Sequence, residues 1–167
     1  MTDTNHVPHY DPAYFSVNPY AKRIEKPWGY EIHWVPAEAP YMGKVLHINA
    51  GARFSLQIHD QKHESWLLIA GQAAVIWENA RGELVQTALQ PGQGYSTMLG
   101  QRHRLLGITD CDVIEVSTPE LGTTWRLEDD YDRPDETPAQ RAFERARPSP
   151  VKSASVGPET KAAKKKP

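Results

Sequence analysis

Of the chain's 167 residues only one, Cys111, is cysteine. A lone thiol excludes an internal disulfide framework and removes paired-thiolate zinc motifs, so any bound metal must be held by nitrogen and oxygen. Long hydrophobic runs are also missing, since no apolar stretch approaches the ~20 residues of a bilayer-spanning helix. The first residues, MTDTNHVPHYDPAYF, carry neither the basic start nor the apolar core of a secretion signal. The expectation is a cytoplasmic protein with no membrane partner. Positive charge is scarce too: the first 134 residues hold 11 Lys/Arg against 17 Asp/Glu, which speaks against a nucleic-acid surface. No Ser sits on a Gly-x-Ser-x-Gly elbow, no glycine-rich loop is built to cradle phosphates, and no repeat recurs at a fixed period of 20 to 50 residues.

What is present describes one soluble globular domain: 24% charged residues, 39% hydrophobic, five Trp and seven Tyr. Residues 1–25 lack periodicity and read as an N-terminal arm. From Tyr30 onward the chain runs as YEIHWV, KVLHIN, RFSLQIH, ESWLLIA, AAVIWE, ELVQTAL, GYSTML, HRLLGI and DVIEVST. Turn formers separate these segments, and short strands at that spacing without intervening helices predict an all-β sandwich or barrel over residues 26–134. Residues 135–167 carry eight Lys/Arg against four acids. They read as a short helix over TPAQRAFERAR followed by a basic tail too poor in apolar periodicity to fold.

One stretch, GARFSLQIHDQKHESWLLIAG, carries most of the chemistry. Alternation along a strand puts Arg53, Ser55, Gln57 and His59 on one face, with Phe54, Leu56 and Ile58 on the other. The polar face either meets water or lines a metal site whose remaining ligand lies further along. Spacing bears on the choice. Gly51 precedes Gln57 by six, Glu64 follows His59 by five and Gly71 follows Glu64 by seven, while Gly100 and His103 follow Gly92 by eight and eleven.

These spacings resemble the two cupin motifs, G-x5-H-x-H-x3,4-E-x6-G and G-x5-P-x-G-x2-H-x3-N, with Gln57, Met98 and Gly107 standing where His, Pro and Asn are usual. The resemblance implies a cupin, a jelly-roll barrel of the double-stranded β-helix kind. Within that superfamily the chain resembles the C-terminal mannose-6-phosphate isomerase domain of the bifunctional isomerase/guanylyltransferases. The similar stretches run from K26-P-W-G-Y-E31 through K44-V-L-H-I-N-A-G51, F54-S-L-Q-I-H59, E64-S-W66, H103-R-L105 and I114-E-V116 to R126-L-E-D-D-Y-D-R133. The nucleotidyltransferase region of those enzymes has no counterpart here, so guanylyl transfer is not expected.

The resemblance implies one divalent metal on Gln57, His59, Glu64 and His103. Two imidazoles, a carboxylate and an amide oxygen suit Zn, Fe, Mn, Co or Ni, and likeness to the isomerases favours zinc. It further implies a sugar-phosphate substrate, with Lys44, Arg126 and Ser55 binding it and Glu115 and Lys62 moving the proton. Parity supports part of this. Lys44 falls on the inward face of its strand with Leu46 and Ile48, and Glu115 lies among Val113, Ile114 and Val116, costly places for unpaired charge. Snorkelling lysines, a Glu115 paired with arginine and an Arg126 holding C-terminal acids are the plain structural alternatives. Trp28, Trp66, Trp77 and Trp125 read as core, His63 as a surface residue, and Cys111 as a poor nucleophile between two aspartates.

The chain departs from the isomerases at Asp60-Gln61-Lys62, at Ser65 and in L121-G-T-T-W-R126, so another small polar substrate fits the same frame. An iron or nickel cupin oxygenase and a non-catalytic sugar-binding cupin are the alternative functions. Pairing through exposed strands makes a homodimer the expected assembly.

Overall fold

A computed structural model describes residues 8, 10–15 and 18–146. The reading made for the tail from 147 onward falls outside the described residues, as does most of the first part of the arm. Eleven strands form two antiparallel sheets. The chain order is β1 (Lys22–Lys26), β2 (Gly29–His33), β3 (Met42–Ile48), β4 (Leu56–His59), β5 (Glu64–Ala70), β6 (Ala73–Glu78), β7 (Leu84–Ala88), β8 (Gly94–Thr97), β9 (His103–Gly107), β10 (Cys111–Ser117) and β11 (Thr124–Glu128). One sheet runs β1-β2-β3-β10-β5-β8 and the other β11-β4-β9-β6-β7. All nine strand segments expected from the sequence are present; β1 and β11 are additional, each at the edge of a sheet. The first sheet therefore begins inside the stretch read as an arm.

Inward positions on each long strand change character from one end to the other. On β3 the order is Lys44, Leu46, Ile48; on β5 it is Glu64, Trp66, Leu68; on β9, His103 then Leu105; on β10, Cys111, Val113, Glu115. Register brings like ends together, pairing Lys44 with Glu115, Leu46 with Val113 and Ile48 with Cys111. One end of the interior is thus an apolar cluster of Trp28, Leu46, Ile48, Trp66, Val75, Leu105 and Val113, while the other collects ionisable groups. Trp28 and Trp66 are core, and Trp77 packs against it. Trp125 is not, being 45% exposed on the edge strand β11. At the turn after β5, Gly71 has a φ of +72°, and a β-carbon there would overlap the Asp110 carbonyl.

Beyond the sheets, Pro138–Ala146 forms the single α-helix among the described residues, α1. Pro138 suits a first helical position, where no amide hydrogen is needed, and the Thr137 hydroxyl caps the turn by accepting from the Gln140 amide at 3.2 Å. No helix among the described residues is long and apolar enough to cross a membrane.

Cys111 is 1% exposed, and its thiol is pushed up to about 11, by burial first and by Asp112 and Asp110 after it. We expect no alkylation by iodoacetamide at pH 8 in the native protein and complete alkylation in denaturant, read by intact mass.

Candidate metal centre and pocket

Of the polar face of GARFSLQIH, Ser55, Gln57 and His59 turn inward, while Arg53, ahead of the strand, pairs with Asp130 at the surface. Of the residues expected on the other face, Phe54 packs against the core and Leu56 is buried. Ser55 and His59 are buried and Gln57 is partly buried, which settles the choice between water and the interior. Three strands then deliver one ligand each: β4 brings His59, β5 brings Glu64 and β9 brings His103. Their ligand atoms lie within 4.8 Å of one another. Glu64 Oε1 is 3.2 Å from His59 Nε2 and 2.8 Å from His103 Nε2. Gln57 pairs with His103 across β4 and β9, which sets the amide beside the triad.

Partners on the far side of each ring fix how it is presented. His103 Nδ1 lies 2.8 Å from the Gln101 carbonyl, a group that only accepts, so Nδ1 carries a hydrogen and Nε2 is the atom presented to Glu64. His59 Nδ1 lies 3.0 Å from Thr124 Oγ1. His59 Nε2, Glu64 Oε1 and His103 Nε2 thus converge on one buried spot with an outer partner behind each ring. Two imidazole nitrogens and a carboxylate oxygen so presented fit a divalent metal. Gln57 completes the set only after its amide turns over. Its nitrogen faces His59 Nε2 at 3.4 Å, while its oxygen accepts from Ser55 Oγ at 2.8 Å. Ser55, 1% exposed, lines the pocket and acts first on Gln57.

A row of alternating charge leads away from the triad. Lys62 Nζ lies 2.5 Å from Glu64 Oε2 and 2.8 Å from Glu115 Oε1; Lys44 Nζ lies 3.5 Å from the same Glu115 oxygen, 3.9 Å from Glu31 Oε2, and in contact with Glu120. His33 Nε2 ends the row, 2.8 Å from Glu31 Oε2. Burial works against charge at Glu64, but the Lys62 ammonium beside it outweighs burial and holds the carboxyl well below the usual range. Burial likewise opposes the Lys62 ammonium, yet Glu115 and Glu64 together keep it above its ordinary value; Lys44 is raised in the same way by Glu115 and Glu31. Both lysines are therefore cations at neutral pH and neither is a ready base. His59 is lowered, chiefly by burial, which keeps it neutral and ready to ligate.

Arg126 also lines the pocket, but its guanidinium is engaged by Glu136 at 2.9 Å and by the Pro134 carbonyl. That is the structural alternative raised for it above. His63 is exposed, on the face opposite Glu64. Glu31, His33, Glu120, Thr124, Arg141 and Arg145 were not singled out from the sequence. Alternation on β2 is a signal for the first two, since Glu31 and His33 flank Ile32 on the inward side; the others reach the pocket through long-range folding alone.

Residues 16–135 match the family described as mannose-6-phosphate isomerase C-terminal. No curated protein matches the chain in sequence. Among solved structures, oxalate decarboxylase of Lactobacillus farciminis in its formate complex aligns at 22% identity and a TM-score of 0.55, covering 64% of this chain and 34% of that one. Oxalate decarboxylase of Bacillus subtilis, a protein with Mn(II) centres, aligns at 16% and 0.55, over 64% of this chain and 30% of its own. The capsular polysaccharide assembling protein CapF of Staphylococcus aureus aligns at 12% and 0.51, over 76% and 34%. The chain thus spans about a third of the length of these proteins, and at such identities the likeness establishes the cupin fold alone.

Proposed function

This chain belongs to the mannose-6-phosphate isomerase C-terminal cupin family, and from that premise we propose that it is a metal-dependent isomerase of a phosphorylated aldose and its ketose, mannose-6-phosphate and fructose-6-phosphate being the pair to test. The observation that carries the reading is the meeting of His59, Glu64 and His103 at one end of a buried charge row that continues through Lys62, Glu115 and Lys44.

Aldose and ketose differ by the position of one proton on carbon and one on oxygen. A base takes the proton from C2, the C1 oxygen gains one, and the resulting enediol returns a proton to C1 while its C2 oxygen gives one up. No oxidant, reductant or second substrate enters. Glu115 is the carboxylate we assign to the carbon-bound proton. Lys62, held as an ammonium between Glu115 and Glu64, faces the substrate oxygens and offers them a hydrogen-bond donor. Lys44 receives the anionic end. His59, Glu64, His103 and a turned Gln57 would hold a divalent ion, whose chemistry is to polarise neighbouring oxygens. Zinc is the first ion to test and manganese the second.

Metal-replete protein is expected to convert mannose-6-phosphate to fructose-6-phosphate in a coupled assay and, in D2O, to leave deuterium on the carbon that received the proton. Binding without conversion would assign the chain to the non-catalytic alternative, and iron-dependent oxygen uptake to the oxygenase.

A further inference from the structure

We propose that Glu120 occupies an anion subsite of this protein, formed by Lys44 and Arg145, and that an anionic ligand enters by displacing its carboxylate. The inference rests on the isomerase reading only in taking this pocket as the ligand site.

The cavity beside the triad measures about 50 Å³. Pockets for small molecules span about 300–1,000 Å³, so a sugar-sized ligand needs part of the wall to give way. Much of that wall is hydrogen-bonded sheet. The rest comes from the turns that carry Trp28, Lys62 and Glu120, from Arg133 and Glu136 after β11, and from α1. The Glu120 side chain is 7% exposed and touches both the Lys44 ammonium and the Arg145 guanidinium. An ammonium and a guanidinium on one carboxylate form a clamp that also takes phosphate or carboxylate oxygens, so an incoming anion leaves neither cation without a counter-charge.

The surroundings tolerate that exchange. Without Glu120, Lys44 still has Glu115 at 3.5 Å and Glu31 at 3.9 Å. The backbone around Glu120 is held separately, because Arg141 Nη1 donates to the Glu120 carbonyl at 2.6 Å and Arg141 Nε to Glu136 Oε1 at 2.8 Å. Helix α1 is also fastened to β1 without Arg145's side chain: Lys26 pairs with Glu144 at 3.2 Å, and Lys22 donates to the Arg145 carbonyl at 3.2 Å. The side chain can swing while turn and helix stay in place. Arg145 lies beyond residue 135, where the family match ends.

The test is calorimetric titration with inorganic phosphate. If Glu120 fills the subsite at least nine-tenths of the time, Glu120→Gln tightens phosphate binding by about tenfold or more, because a blocked site lowers apparent affinity by its free fraction. Adding Arg145→Ala to Glu120→Gln should abolish that gain while thermal unfolding still reports a folded protein. Equal affinity in wild type and Glu120→Gln, or a double variant that binds as tightly as Glu120→Gln, would overturn the inference. Turnover of mannose-6-phosphate is followed in the same samples. A failed isomerase reading leaves every variant inactive with the phosphate effect intact, and a failed subsite leaves phosphate affinity unmoved whatever the turnover.

Discussion

Glu64→Ala is expected to purify without stoichiometric metal, and His63→Ala, one residue away, to retain it in full. Glu64 supplies the one oxygen that faces both His59 Nε2 and His103 Nε2, whereas the His63 side chain is on the outer face of the same strand. Loss of a direct ligand should exceed the ten- to hundredfold penalty of losing an outer partner, so affinity falls by more than about 100-fold. Thr124→Val, which removes the group beside His59 Nδ1, should fall within that milder range. Elemental analysis and competition with a chromogenic chelator read all three. Equal metal content in the Glu64 and His63 variants would remove the proposed centre, and the isomerase with it.

Glu115→Gln should be the most destabilising single change in the pocket. Its Oε1 lies 2.8 Å from Lys62 Nζ and 3.5 Å from Lys44 Nζ, with the three side chains 5%, 9% and 5% exposed. Removing the charge leaves two ammonium groups near each other, out of water, with fewer counter-charges. An ion left wholly unpaired out of water costs about 3–5 kcal/mol. Here Glu64 stays beside Lys62, and Glu120 and Glu31 beside Lys44, so the loss is expected at or below the lower end of that range. Urea unfolding measures the loss. Combining Glu115→Gln with Lys62→Met should cost less than the sum of the two single changes, since the second removes one of the ions that the first strands. Additive losses would mean that solvent, not Glu115, balances these lysines.

Much of this arrangement is legible in the chain because strand side chains alternate strictly. Alternation placed Lys44 inward, set Lys62 on the same side as Glu64 and sent His63 outward. The spacing of Gly51, Gln57, His59, Glu64 and His103 carries the cupin resemblance, and that resemblance implies the ligand set. The two strands that escaped notice, β1 and β11, are edges: KRIEK buries only Ile24, and TWRLE exposes Trp125 and Leu127, so neither shows the half-buried alternation by which a strand is recognised. Contacts such as Thr124 to His59 and Arg145 to Glu120 depend on how distant segments meet over the barrel, and no local pattern encodes them. Arg126 illustrates the opposite limit. Its position was legible, as was the alternative that it holds C-terminal acids, but the choice of Glu136 and the Pro134 carbonyl as its partners was not.

The lengthwise division of the interior has an evolutionary consequence. Cohesion is vested in the half built from Trp28, Leu46, Ile48 and Leu105, and reactivity in the half that ends at the loops. Substitutions among the loop-end groups can redirect the chemistry while the greasy half keeps the sheets together. A scaffold partitioned in this way is free to acquire new substrates by drift at one rim, and a C-terminal extension such as α1, laid across that rim, is one means of doing so.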